Sequence, residues 1–150
     1  MMINHRTFTK SLFATAILVM GLAGCSAMMP SNTVALSGQL SAAQEVPATA
    51  SAGTGMAEAS LNKDTNVLTW KVSFSGLTGP ASAGHYHGPA AAGSNAGVVV
   101  PFTGTTSPME GQATLTPAQA ADLLAGKWYA NVHTAANKGG EIRGQMTPKM

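Results

Sequence analysis

The chain has 150 residues, of which 45% are hydrophobic and 9% are charged, and its formal net charge is +2. Basic and acidic residues are scattered without a run of either sign, which excludes the basic stripe that a nucleic-acid-binding protein needs. Cys25 is the only cysteine, so the chain forms no internal disulfide and no cluster of thiolate metal ligands.

The N-terminus predicts a secretory signal peptide over residues 1–24. Arg6 and Lys10 precede an apolar run over residues 12–23, which is too short to cross a bilayer comfortably as a permanent helix. The sequence Leu22-Ala23-Gly24-Cys25 resembles the bacterial lipobox. That resemblance implies cleavage before Cys25 and lipidation of its sulfur, and the alternative is an ordinary signal peptide with a chance cysteine.

Removal of the signal peptide leaves a lipidated cysteine and tether over residues 25–33 and one domain over residues 34–150. The lipid predicts a membrane anchor and not a membrane span, because no long apolar segment follows Cys25. The protein is therefore expected in the exported bacterial cell envelope. Ser26 stands where an inner-membrane retention signal would carry aspartate, which favours the outer membrane.

Period-two alternation predicts β-strands in the first half of the domain. Over residues 67–74, Leu68, Trp70, Val72 and Phe74 share one face, as in a half-buried strand. Weaker alternation predicts strands over residues 34–40 and 55–61. The polar residues 62–66 predict the turn of a hairpin.

The second half predicts four more strands and one helix. The strands are expected over residues 98–102, 110–115, 127–133 and 141–146. Thr116, Pro117 and Gln119 are typical of a capped helix start, and Gly126 is suited to end that helix after Ala125. This order predicts an all-β fold, an antiparallel β-sandwich or flattened Greek-key barrel with one short helix, without an internal repeat or second domain.

Three histidines of the domain are candidate metal ligands. His85 and His87 flank Tyr86, and in a strand they would face one side while Tyr86 faces the other. Alternation over residues 127–133 places His133 on the face opposite the apolar one, together with Tyr129 and Asn131. Three imidazoles suffice for a trigonal copper site, or for a tetrahedral zinc or copper site with one further ligand. The alternative is that each histidine is a hydrated polar residue at a strand end.

Short motifs along residues 34–147 are similar to those of the CHRD domain, which occurs in chordin and in many bacterial envelope proteins. Lys138 stands where the family usually has a proline, at a loop position that is not expected to disturb the histidines. The matching segments are Glu45-Val46-Pro47, Gly76-Leu77-Thr78, Gly84-His85-Tyr86-His87-Gly88-Pro89, Leu123-Leu124-Ala125-Gly126, Asn131-Val132-His133-Thr134 and Gly139-Gly140-Glu141-Ile142-Arg143-Gly144-Gln145.

The resemblance implies a β-sandwich similar in style to the copper/zinc superoxide dismutases, which also carry an H-x-H pair on a strand. It does not imply dismutase activity, because this domain has three histidines and no spare cysteine.

Four further residues are candidates for roles around the histidines. Glu141 is predicted to accept the second N–H of a ligand histidine, and Arg143 is predicted to pair with Glu141 or Glu45. Asn131 is expected near the site, as a residue bonded to the backbone or as a direct ligand. Met109 could add a thioether ligand for Cu(I).

These features favour a metal-binding protein that is not an enzyme. The expected ion is copper, with zinc as the alternative, bound for storage, delivery or sequestration, and no phosphate loop or nucleophile elbow is present. The first alternative is a protein–protein interaction or structural module of the envelope, whose protein partner the sequence does not identify. A copper-dependent redox enzyme is the second.

Overall fold

A computed structural model describes residue 2 and residues 32–149 of the chain. The predicted signal peptide, the lipidation at Cys25 and nearly all of the tether lie outside the described residues. Within the described part, no helix combines the length and the apolar character that a membrane span requires.

The described residues form an all-β fold whose strands are antiparallel. One nearly closed sheet follows the strand order β5-β4-β7-β8-β1-β2-β3-β6, and β9 pairs with β1. The strands are β1 (Thr33–Ser41), β2 (Thr54–Asn62), β3 (Val67–Ser75), β4 (Ala81–His87), β5 (Val98–Pro101), β6 (Met109–Thr114), β7 (Tyr129–Thr134), β8 (Ile142–Gln145) and β9 (Thr147–Pro148). This confirms the predicted antiparallel barrel or sandwich.

The β2–β3 hairpin shows how the period of the sequence produces the core. Leu68 and Val72 of β3 are fully buried and Trp70 is nearly so, while Thr69 and Lys71 between them face solvent. Burial of each large apolar side chain stabilises the fold by about 1.5–3 kcal/mol. Asn66 closes the hairpin with a φ of 54°, a left-handed conformation that asparagine tolerates better than most residues.

Helix α1 (Pro117–Leu124) begins and ends as its sequence predicts, with Ala125 as the capping residue. The Thr116 side chain accepts a hydrogen bond from the Gln119 N–H, and the Gln119 side chain accepts one from the Thr116 N–H. Gly126 follows with a φ of 72°, which ends the helix. Ala120 and Leu123 bury the inner face of the helix.

The strand bounds differ from the expectations where tertiary contacts set them. Strand β4 begins at Ala81, four residues before His85, in a stretch whose small residues give no alternation signal. Strand β7 begins at Tyr129 and not at residue 127, and β8 covers only Ile142–Gln145. A single 3₁₀ turn over Ala42–Gln44 and the short strand β9 were not predicted.

Candidate metal centre

Strand β4 separates the histidines from the core. Tyr86 is fully buried, with its ring 5.7 Å from that of Trp70 and 4.8 Å from that of Phe102. Because successive side chains alternate across a strand, His85 and His87 face the other side. The predicted orientation of the H-Y-H segment is confirmed.

Strand β7 pairs with β4 and brings His133 to the same place. In the antiparallel register, His85 lies opposite Asn131, and Ala83 lies opposite His133. The His85 Nδ1 and His133 Nε2 atoms are 2.9 Å apart, and one ring nitrogen from each of the three histidines lies within 4.8 Å of the other two. The structure thus brings together residues that are 48 positions apart in the sequence.

Two backbone carbonyls orient the rings of His133 and His87. The Nδ1 atom of His133 lies 2.9 Å from the Lys138 carbonyl oxygen, and that of His87 lies 3.0 Å from the Ala96 carbonyl oxygen. Since a carbonyl only accepts, each Nδ1 carries the proton and donates it. The Nε2 lone pair of each ring is then the possible metal ligand, a common arrangement around metal-binding histidines.

The electrostatic surroundings favour uncharged imidazoles. Burial lowers the pKa of His85, and the neighbouring His133 and His87 lower it further. Burial also lowers the pKa of His133, against the opposing effect of its hydrogen bond to the Lys138 carbonyl. Metal ions bind the neutral form of histidine, so both side chains are in the form that can coordinate at neutral pH.

The donor set fits one transition-metal ion. Nitrogen ligands lie about 2.0–2.1 Å from zinc, which places two of them roughly 3.4 Å apart in a tetrahedral site. The 2.9 Å separation of His85 and His133 is shorter than this, and the 4.8 Å limit for the group is longer. Shifts of about 1 Å in the side chains would bring the three nitrogens to ligand distance, so the three histidines could hold an ion.

Asn131 contacts His87 and connects it to a buried ion pair. Its Oδ1 atom lies 3.1 Å from His87 Nε2, and its Nδ2 atom donates to Glu45 Oε1 at 3.5 Å. Glu45 Oε2 lies 3.9 Å from Arg143 Nε, and both side chains are almost fully buried. Burial raises the pKa of Glu45, while the Arg143 charge opposes that rise. Of the two predicted partners of Arg143, the structure selects Glu45.

Tyr129 stacks against His87 and was not predicted to do so. The two rings are parallel within 2° and their centroids are 4.9 Å apart. On the β8 side of Tyr129, the Arg143 guanidinium lies 4.6 Å from the ring centroid, an attractive cation–π contact. Alternation over residues 127–133 had already placed Tyr129 on the histidine face, and this signal could have identified the contact.

The prediction that Glu141 orients a ligand histidine is wrong. Its carboxylate is fully buried and accepts hydrogen bonds from Ser51, Thr78, Thr134 and Asn137. Burial alone would raise its pKa, but these bonds outweigh burial and lower the pKa to about 2. The carbonyl of Lys138 has the role that was expected of Glu141.

The prediction that Met109 supplies a ligand is also wrong. Met109 begins β6 and is 1% exposed in the core. Its sulfur lies on the Gly84 side of β4, where it would be 2.7 Å from a Cβ atom placed on that glycine. Gly84 and Tyr86 face the core, so the sheet separates the thioether from the imidazoles.

Comparison with known proteins identifies the family of the chain. The sequence profile described as the CHRD domain matches residues 36–146. No curated protein and no solved structure matches the chain. The matched range runs from β1 to the end of β8 and contains the three histidines, Asn131 and Glu45. Because this range covers well over half of the sequence, the chain belongs to the CHRD domain family.

Proposed function

We propose that this protein binds a transition-metal ion through His85, His87 and His133, with copper favoured over zinc. The observation that carries the proposal is the convergence of three ring nitrogens within 4.8 Å of one another. Imidazole is a good ligand for both metals, and sites of a given type bind divalent copper more strongly than zinc. The lowered pKa values of His85 and His133 support the same conclusion.

The proposed role is storage, delivery or sequestration of the ion in the bacterial cell envelope, without catalysis. The signal sequence and the lipobox-like segment before Cys25 support export and a lipid anchor, with the outer membrane as the proposed location. An anchored domain of this kind would keep its ion near the membrane surface. In this role the three histidines would hold the ion by reversible coordination bonds, and the ion would take part in no reaction.

Metal titration of the purified domain tests the proposal. Residues 32–150 are titrated with Cu(II), Cu(I) and Zn(II), and affinity is measured by calorimetry or by competition with a chelator of known strength. The double substitution His85→Ala with His87→Ala is expected to abolish tight binding. Glu58→Gln on β2, which removes an exposed carboxylate, is the control for adventitious surface binding. Unchanged affinity in the double variant would contradict the proposal.

The lipid anchor is tested separately in cells. Cells that express the full chain are labelled with a palmitate analogue and then fractionated. Labelling and recovery with the outer membrane are expected for the natural sequence and for a Ser26→Ala control, and both are expected to be lost in Cys25→Ala. Label retained after Cys25→Ala would refute lipidation at that residue.

One observation favours a second function, a structural or interaction module. His87 and His133 bond to the backbone of two loops, at Ala96 and Lys138, so the histidines cross-link those loops without an ion. This alternative predicts that protein isolated from its native envelope contains no stoichiometric metal. It also predicts that a chelator leaves the unfolding temperature of the protein unchanged. A bound ion would raise the unfolding temperature, and a chelator would then lower it.

A further inference from the structure

Asn131 lies next to the three histidines in the sheet. It lies directly opposite His85 in the β4–β7 register and two residues before His133 on the same face of β7. Its amide oxygen is 3.1 Å from the Nε2 atom of His87, and the residue is only 2% exposed. Asn131 is therefore a neighbour of all three candidate ligands in the sheet, and its amide contacts His87 while shielded from solvent.

A buried carboxylate on the side of the amide away from His87 sets the orientation of Asn131. Glu45 is 6% exposed and accepts from the Asn131 Nδ2 group at 3.5 Å. Arg143 lies beside Glu45, with its Nε atom 3.9 Å from the other carboxylate oxygen. In this arrangement the NH₂ group of Asn131 faces Glu45 and its oxygen faces His87.

The Asn131 amide oxygen and the His87 ring present two possible ligand atoms side by side. His87 Nδ1 lies 3.0 Å from the Ala96 carbonyl oxygen, which leaves Nε2 as the ring atom that can coordinate. The Asn131 oxygen lies 3.1 Å from that atom. This separation is close to the roughly 3.4 Å between two ligand atoms of one tetrahedral ion. The distance therefore allows one ion to bind both atoms.

We propose that the Asn131 amide oxygen is the fourth ligand of the metal ion and makes the site selective for divalent ions over Cu(I). This inference rests on the proposed metal-binding function. Zn(II) and Cu(II) accept an oxygen ligand beside imidazole nitrogens, whereas Cu(I) is selected by thiolate and thioether sulfur. The Met109 sulfur lies on the other face of β4, and Cys25 is the only cysteine. The donors at the site are thus imidazole nitrogens and one amide oxygen.

Affinity measurements on an Asn131→Leu variant test this assignment. Outer-shell partners of metal ligands contribute about tenfold to a hundredfold in affinity, so loss of a direct ligand is expected to weaken Zn(II) and Cu(II) binding by at least as much, with Cu(I) binding nearly unchanged. His87→Ala serves as the control, because it is expected to weaken binding of all three ions. An equal loss for Cu(I) would show that Asn131 only positions His87, and that result overturns the proposal. So does unchanged Zn(II) affinity.

A second pair of variants keeps the test valid if Asn131→Leu does not fold. The double substitution Glu45→Gln with Asn131→Asp moves the single negative charge of the pair onto the proposed ligand. Relative to Glu45→Gln alone, it is expected to bind Zn(II) at least tenfold more tightly, with Cu(I) affinity changed far less. An equal gain for both ions, or no gain, overturns the assignment.

The two hypotheses fail in different ways. If the natural domain takes up none of the three ions, the proposed function and the ligand role of Asn131 fall together. If the natural domain binds metal but the Asn131 variants do not discriminate between Zn(II) and Cu(I), only the fourth-ligand assignment is refuted.

Discussion

Replacement of Glu141 by glutamine is expected to destabilise the domain strongly. Oε1 of the carboxylate accepts from Ser51 Oγ at 2.6 Å and from the Thr78 N–H at 2.7 Å. Oε2 accepts from two threonine hydroxyls and from Asn137 Nδ2 at 3.0 Å. A glutamine NH₂ group would face a donor in either orientation, because both oxygens accept from an N–H.

The expected loss follows from these contacts. A hydrogen bond to a charged group contributes about 1.5–3 kcal/mol, and a buried group left unpaired costs about 1–3 kcal/mol. The hydroxyls can rotate, so we expect a net loss of about 2–4 kcal/mol in the free energy of unfolding for Glu141→Gln. For a domain of this size, that loss lowers the unfolding temperature by roughly 10 °C.

The effect of Glu141 also depends on pH. Its pKa is about 2 in the folded protein, below the ordinary value of 4.5. A lowered carboxyl pKa stabilises the folded state above pH 4.5, and this contribution is lost as pH falls towards 2. The difference in unfolding free energy between the natural protein and Glu141→Gln should therefore be largest near pH 6 and shrink in acid.

Urea unfolding followed by circular dichroism, between pH 2 and pH 7, measures this difference. Glu58→Gln is the matched control, because Glu58 is exposed and pairs with the exposed Lys149. If Glu141→Gln lowers the free energy of unfolding no more than Glu58→Gln does at pH 6, the hydrogen bonds of the Glu141 carboxylate do not stabilise the fold as proposed. A difference that does not change with pH would also contradict the assigned pKa.

Three other substitutions test the packing, the helix cap and the stacked side chains. Gly84→Ala should lower the free energy of unfolding by about 1–3 kcal/mol through overpacking, because the new Cβ would lie 2.6 Å from Phe102 and 2.7 Å from the Met109 sulfur. Gly79→Ala is the control, since its Cβ would meet no atom within 4 Å and should cost little. Urea unfolding compares the two variants. Thr116→Ala removes one half of the capping box and should lower unfolding free energy by about 1 kcal/mol. Arg143→Lys keeps the charge but loses the planar guanidinium fork, and thermal unfolding should show a loss of about 2 kcal/mol.

Local patterns were sufficient for most of the fold. In β3, alternation alone identified Leu68, Trp70 and Val72 as the buried face, because a strand with one solvated face must alternate. The helix bounds followed from the chemistry of Thr116 and Gln119. The bounds of β4 were not predictable in this way, because Ala81 and Gly84 carry little side-chain signal and are placed by pairing with β7.

The groups that orient the histidines could not be predicted from residue types. Backbone carbonyls of Ala96 and Lys138 perform this role, and every residue has a carbonyl. The contact between Asn131 and Glu45 joins positions 86 residues apart, which only the folded topology brings together. The error over Glu141 has a related cause, since its partners Ser51 and Thr78 come from distant loops.

The buried Arg143 connects the stability of the domain to the geometry of the proposed metal site. Its guanidinium holds the loop between β4 and β5 through Asn95 Oδ1 at 2.8 Å, and the same loop provides the Ala96 carbonyl that fixes His87. Tyr129 strengthens this arrangement, because its hydroxyl accepts from the Ala96 N–H at 3.2 Å while its ring stacks on His87. The orientation of His87 therefore depends on the closure of this loop as well as on its own strand. A substitution that loosens the loop would weaken metal binding without removing any ligand.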